Sequence, residues 1–217
     1  MLFSASSRKG SFLFFLFSIL STLLLLSSQA PTALAAPVND FGTLVVRDKN
    51  IPDKAEVEKL IKPENLHDFS KYAKKGQPAK DKAIYFTGQD QKTINDIVRW
   101  ANSQQLTSVR DLWKNVNFYQ KGQYKGVDKD TFTNFQKAFS KYYAQLTEGK
   151  AYLIFPQDKK PSKTGIFYSV ELEEIIKHGK VEEIIWIDQN KIHDKGYKWK
   201  DEKKTYWKKS EKKPDGA

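Results

Sequence analysis

The stretch Asp128–Pro156, "DKDTFTNFQKAFSKYYAQLTEGKAYLIFP", decides how this chain is built. Phe132, Phe135, Phe139, Tyr142, Tyr143 and Leu146 recur at the spacing of one helix face, with Asp128 and Asp130 at the start and Gly149 just past the end. A ring-lined stripe of this kind is core material rather than a binding groove. The run "KAYLIFP" that follows is short, apolar and ended by proline, which reads as a strand. A helix feeding directly into a strand puts both element types around one core.

Working outward, "AIYFTG" (Ala83–Gly88) is a second short strand. Ile94, Ile97, Val98 and Ala101 mark an amphipathic helix, and "LTSVRDLW" reads as a short connecting helix with Thr107 or Ser108 as its cap. Beyond the Lys- and Pro-rich loop, "GIFYSV" (Gly165–Val170) reads as a strand. Glu171–His178 then reads as a helix capped by Ser169 and closed by Gly179, and "VEEIIWID" (Val181–Asp188) as another strand. The order strand, helix, helix, strand, strand, helix, strand predicts an α+β (mixed α/β) fold: one compact domain with a small mixed or antiparallel sheet packed by amphipathic helices.

The sequence divides into four sections. Residues 1–35 resemble a secretory signal peptide: Arg8 and Lys9, the apolar run Phe12–Leu26, then "TALAAP" with a small-residue cleavage site before Ala36. That run is shorter than the roughly 20 residues needed to span a bilayer, so the mature protein is expected to be secreted and extracellular. Residues 36–80 hold a strand-like "GTLVVRD", a helical segment from Asp53 to Lys62 and the Lys-rich "KKGQPAKDK". They form either the first strand–helix unit of the domain or a propeptide cut near Lys74-Lys75. Residues 81–190 are the folded body.

Residues 191–217 carry ten lysines against five acids, with "YKWK" and "YWKK" interleaved. One reading makes Lys198, Trp199, Lys200, Trp207, Lys208 and Lys209 a surface for anionic partners such as lipid, glycan or nucleic acid. The other makes this section an edge hairpin, turning at "DEKK", whose lysines block strand-to-strand association, followed by a disordered tail.

Composition removes several chemistries. The chain has no cysteine, so disulfides and a Cys nucleophile are both excluded, and its stability must come from apolar burial. Three histidines, His67, His178 and His193, lack metal-ligand spacing, so no metal site is expected. No Gly-x-Ser-x-Gly elbow and no glycine-rich phosphate loop occur. No Asn-x-Ser/Thr acceptor for glycosylation is present either.

The pair Glu171 and Glu173 in "YSVELEEIIKHG" has two readings. As structure, Glu171, Glu173 and Glu174 suit the positive end of a helix dipole, with Lys177 and His178 at the other end. As chemistry, "ELEEIIKHGKVEEIIWI" resembles the Glu-x-Glu region of heat-labile-enterotoxin A-chain-like ADP-ribosyltransferases, where an acidic pair precedes a glycine and a strand with Ile and Trp near its end. Upstream, "LVVRDKNIPDKAEV" is similar to that family's first strand, with Arg47 in the place of its arginine. The family's Ser-Thr-Ser is replaced here by Thr87-Gly88-Gln89, which keeps one hydroxyl.

The resemblance implies a toxin- or effector-like protein that cleaves NAD and transfers ADP-ribose to a target protein, or a scaffold that has lost this activity. It implies that Arg47 orients NAD, that Thr87 supports the pocket, that Glu173 is the essential carboxylate and that Glu171 assists the nucleophile. A carboxylate suits the task because positive charge develops on the ribose as nicotinamide leaves. A non-catalytic secreted protein that binds anionic surfaces through its C-terminal section is the alternative.

Overall fold

The computed structural model describes residues 50–217. The leader, the strand-like "GTLVVRD" and Arg47 lie outside the described residues. Four strands form one sheet in the order β1-β2-β3-β4, with β1 Ala83–Tyr85, β2 Gly149–Phe155, β3 Val181–Asp188 and β4 Thr205–Lys208. The pairs β1–β2 and β2–β3 are parallel and β3–β4 is antiparallel, so the sheet is mixed. Among the described residues four α-helices accompany it: α1 Lys54–Leu60, α2 Gln91–Ser103, α3 Lys129–Leu146 and α4 Leu172–His178. This is the α+β domain expected from the sequence.

Aspartates begin three of these helices. Asp53, Asp90 and Asp128 each accept a hydrogen bond from the backbone N–H three residues on, at 2.7, 2.9 and 2.8 Å. At α3 the Thr131 hydroxyl adds a second bond, and with the backbone bond it holds the Asp128 carboxyl down at about 2. At the far end of α4, Gly179 takes the left-handed conformation (φ 63°) that closes the helix.

The middle of the sheet, in β1, β2 and β3, is apolar because it is covered on both faces. Ala83, Tyr85, Ala151, Leu153, Phe155 and Ile184 face a large core shared with α1, α3, α4 and the 3₁₀ segment Pro63–Lys71. Ile84, Ile154 and Ile187 face a second cluster built with Ile97, Ala101, Leu106 and Ile192. The large core is dominated by rings: Trp113 stacks on Phe118 at 4.0 Å between centroids, with Phe69, Phe135, Phe139 and Tyr142 packed around them.

Five local expectations change. Residues 107–113 form turns rather than a helix. Ser108 spends its N–H and hydroxyl on Asp111 Oδ2 (3.0 and 2.6 Å), while Thr107 pairs with β1 through Thr107 N–H to Lys82 O and Ile84 N–H to Thr107 O. "GIFYSV" is not a strand: Phe167–Glu171 is a π-helical turn running straight into α4. Ser169 does not cap α4, because its N–H and hydroxyl both bond to Gly165 O at 2.9 Å.

The last two changes are in the C-terminal section. Trp199–Asp201 is a 3₁₀ turn, so "YKWK" is not a strand, and the strand is β4, in which Trp207 is buried in the core. The final residues are held in place rather than disordered. Lys163 N–H donates to Ala217 O, Ala217 N–H to Pro161 O, and the Tyr168 hydroxyl to Pro214 O. Among the described residues no helix is long and apolar enough to cross a membrane.

Candidate functional site

The loop that leaves β1 turns sharply at Gly88 (φ 62°), placing Phe86 and Thr87 at the carboxyl end of the parallel strands. Ligands of open parallel sheets bind at this end. Facing the loop is the start of the π-helical turn. A Cβ on Gly165 would come within 2.7 Å of Thr87 Oγ1, so the glycine is what lets the two segments touch. Phe167 then anchors the turn against Tyr85 and Tyr206, at 5.7 and 5.6 Å between ring centroids.

Between these segments and α3 lies a cavity of about 250 Å³. Its lining includes Thr87, Arg110, Tyr119, Gln136, Ser140 and Glu171. Glu171 is buried, with 5% of its surface exposed. Burial pushes its carboxyl up to about 8, and the Ser140 hydroxyl, which donates to it, offsets only part of that. The neighbouring phenols give no direct help: Tyr143 donates to Thr107 O, and Tyr85 is bonded to Thr147 Oγ1 at 2.6 Å. Both phenols are pushed well above their ordinary range, by burial first and by Glu171 as a further cause. At neutral pH this carboxyl is largely protonated and can donate a hydrogen bond into the cavity. A cation entering beside it favours the ionised form.

The expected site residues separate. Glu171 and Thr87 line the same cavity. Glu173 lies elsewhere, exposed, paired with Lys213 at 2.8 Å and bordering a groove with Lys137, Lys141 and Glu174. Arg47 lies outside the described residues. Of the C-terminal set, Trp207 is core, while Trp199 packs edge-on against Trp100 and Tyr152 and bonds through its indole N–H to Gln104. Lys198, Lys200, Lys208 and Lys209 are exposed. Among the described residues no group of His, Cys, Asp and Glu is arranged to hold a metal ion.

Two site residues escaped the sequence reading. Arg110 lies in the segment read as a connecting helix, where nothing marks it. Ser140 had a signal: it interrupts the buried face of α3 one turn beyond Gln136, and a polar i, i+4 pair on an aromatic stripe points to something facing it.

The fold and cavity define an α+β domain with a buried carboxyl at the sheet's carboxyl edge. No family model and no curated protein matches the chain. Solved structures overlap it in part. Aplysia cyclase, complexed with substrate NGD and product cGDPR, aligns with a TM-score of 0.40 and 15% identity, over 52% of this chain and 50% of that one. A mutant ADP-ribosyl cyclase gives 0.43 and 15%, over 62% and 64%. Porcine CD38 with a covalent intermediate gives 0.39 and 14%, over 62% and 69%. The chain spans about half the length of the first of these. These structures are cyclases and CD38, not toxin A-chain transferases.

Proposed function

We propose that the chain binds NAD with its nicotinamide–ribose end in the Glu171 cavity and breaks the bond between nicotinamide and ribose. The single observation that carries this reading is the shared cavity of Glu171 and Thr87, two residues that the sequence resemblance had assigned to NAD from distant parts of the chain. The cavity is slightly below the usual range for small-molecule sites, about 300–1,000 Å³, so it suits one end of a dinucleotide rather than the whole.

In this reading Glu171, not Glu173, is the catalytic carboxylate. The pyridinium of NAD draws it into its ionised form. As the C–N bond breaks, its electron pair leaves with nicotinamide, and the carboxylate faces the positive charge left on the ribose. Water or a target-protein nucleophile then bonds to the same carbon and gives up its proton to the Glu171 carboxylate, which returns to its neutral form. In an exported, effector-like protein, transfer to a protein is the outcome with consequence.

Incubating the full chain with NAD and measuring released nicotinamide tests this. Release that disappears in Glu171→Gln, with folding unchanged by circular dichroism, supports it. No nicotinamide release by the native chain, whether or not NAD binds, overturns it.

A further inference from the structure

A larger groove, about 480 Å³, adjoins the Glu171 cavity, and the two share Arg110 and Tyr119 as lining. Its charged walls are Lys74, Arg99, Arg110 and Asp111. Three cations therefore face one acid. That acid is already committed: Asp111 Oδ2 accepts from the Ser108 N–H and hydroxyl, and Oδ1 accepts from Asn102 Nδ2 at 3.0 Å. Lys74 Nζ donates to the Asp111 backbone oxygen at 2.9 Å. Arg99 is exposed and reaches Asp96 at 4.0 Å.

Arg110 is the distinctive member. Its guanidinium is held in place by neutral groups: one nitrogen donates to Asn95 Oδ1 at 2.7 Å, another to Gln91 Oε1 at 3.1 Å, and the carbon sits 4.5 Å from the centre of the Tyr119 ring. Among the described residues no carboxylate forms an ion pair with it. Burial lowers its pKa from the ordinary value, yet a guanidinium stays charged in a protein. A partly desolvated cation, fixed by amide oxygens and stacked on a ring, is pre-organised for bidentate contact with the oxygens of a phosphate group.

We propose that this groove is an anion subsite, in which Arg110, with Arg99 and Lys74, holds the phosphates of the ligand whose other end enters the Glu171 cavity. The proposal rests on the reading of that cavity and adds where the diphosphate is held and by which residues, so that a diphosphate-bearing nucleotide is preferred over an unphosphorylated nucleoside.

Titration of the full chain with inorganic pyrophosphate, followed by calorimetry at low and high salt, tests the subsite without any turnover. The native chain is expected to bind, more weakly at high salt. Arg110→Gln is expected to weaken binding by about tenfold or more, the loss of a charge-assisted hydrogen bond. Arg99→Gln, at an exposed position, gives a smaller loss, and Lys125→Gln, exposed and outside both cavities, gives none. No pyrophosphate binding by the native chain, or equal weakening by Lys125→Gln and Arg110→Gln, overturns the subsite. Pyrophosphate binding without nicotinamide release leaves the subsite standing and removes the NAD-cleavage reading, so the two failures differ.

Discussion

Glu171 and Glu174, three residues apart and both buried, are driven to opposite protonation states. Burial raises Glu171, which has one hydroxyl to oppose it. Burial also pushes Glu174 upward, but Gln145 Nε2 at 2.8 Å, Lys141 Nζ at 3.4 Å and His178 Nε2 at 2.9 Å outweigh it and hold that carboxyl low. One glutamate is a structural ion and the other a neutral acid at a cavity wall. Environments that push two carboxyls apart in this way separate their roles.

Stability should fall as pH rises from the ordinary Glu value of 4.5 towards about 8, because the folded state keeps the Glu171 proton that the unfolded chain has lost. Within that window the contribution is on the order of 1.4 kcal/mol per pH unit, an upper bound that relaxation and water entry reduce. Glu171→Gln should flatten this slope and be more stable than the native chain at pH 8. Urea unfolding at pH 5, 6.5 and 8 measures it, and parallel native and mutant curves would show that Glu171 is not the source.

Glu174→Ala should destabilise by about 1–3 kcal/mol, since it removes the buried acceptor that the half-buried Gln145 and Lys141 side chains share. Glu173→Ala, which loses only an exposed contact to Lys213, should cost less than about 1 kcal/mol. Thermal unfolding of the two variants side by side gives the comparison.

Gly165→Ala should cost about 1–3 kcal/mol through overpacking against Thr87 Oγ1. Thr87→Ala made in the same chain should recover most of that loss, because the clashing atom is gone; Ser162 O, at 3.2 Å, leaves a remainder. A double-mutant cycle showing additivity would mean that the two segments do not touch in solution.

Trp113→Ala should be among the most damaging single changes, costing about 3–5 kcal/mol. Trp113 is fully buried and touches Phe69, Phe118, Phe139 and Tyr142. Near-ultraviolet circular dichroism reports the loss of ring packing directly.

On activity, Glu171→Gln should abolish nicotinamide release while Glu173→Gln retains at least about half of it, since only the first lines the cavity. The reverse result would return the catalytic role to Glu173.

What the sequence made legible were elements whose signals are local. The acidic start of α3 at Asp128, its aromatic face, the apolar face of α2, the strand Val181–Asp188 and the closing Gly179 all appear where periodicity and capping chemistry put them. What it hid depends on partners far along the chain. "GIFYSV" has the composition of a strand, yet helical bonds from Ser169 to Gly165 and the packing of Phe167 against Tyr85 and Tyr206 fold it into a π-helical turn. That turn runs into α4 and leaves Glu171 inside the protein and Glu173 outside, a distinction the Glu-x-Glu spacing does not carry. Arg110 becomes visible only once Asn95, Gln91 and Tyr119 are seen to converge on it.

The ring-packed interior around Trp113 and Phe118 has a consequence for where this protein keeps its shape. With no sulfur cross-link in the chain, thiol reductants have nothing to cut, and moving from an oxidising fluid into a reducing cell interior leaves the forces on the fold unchanged.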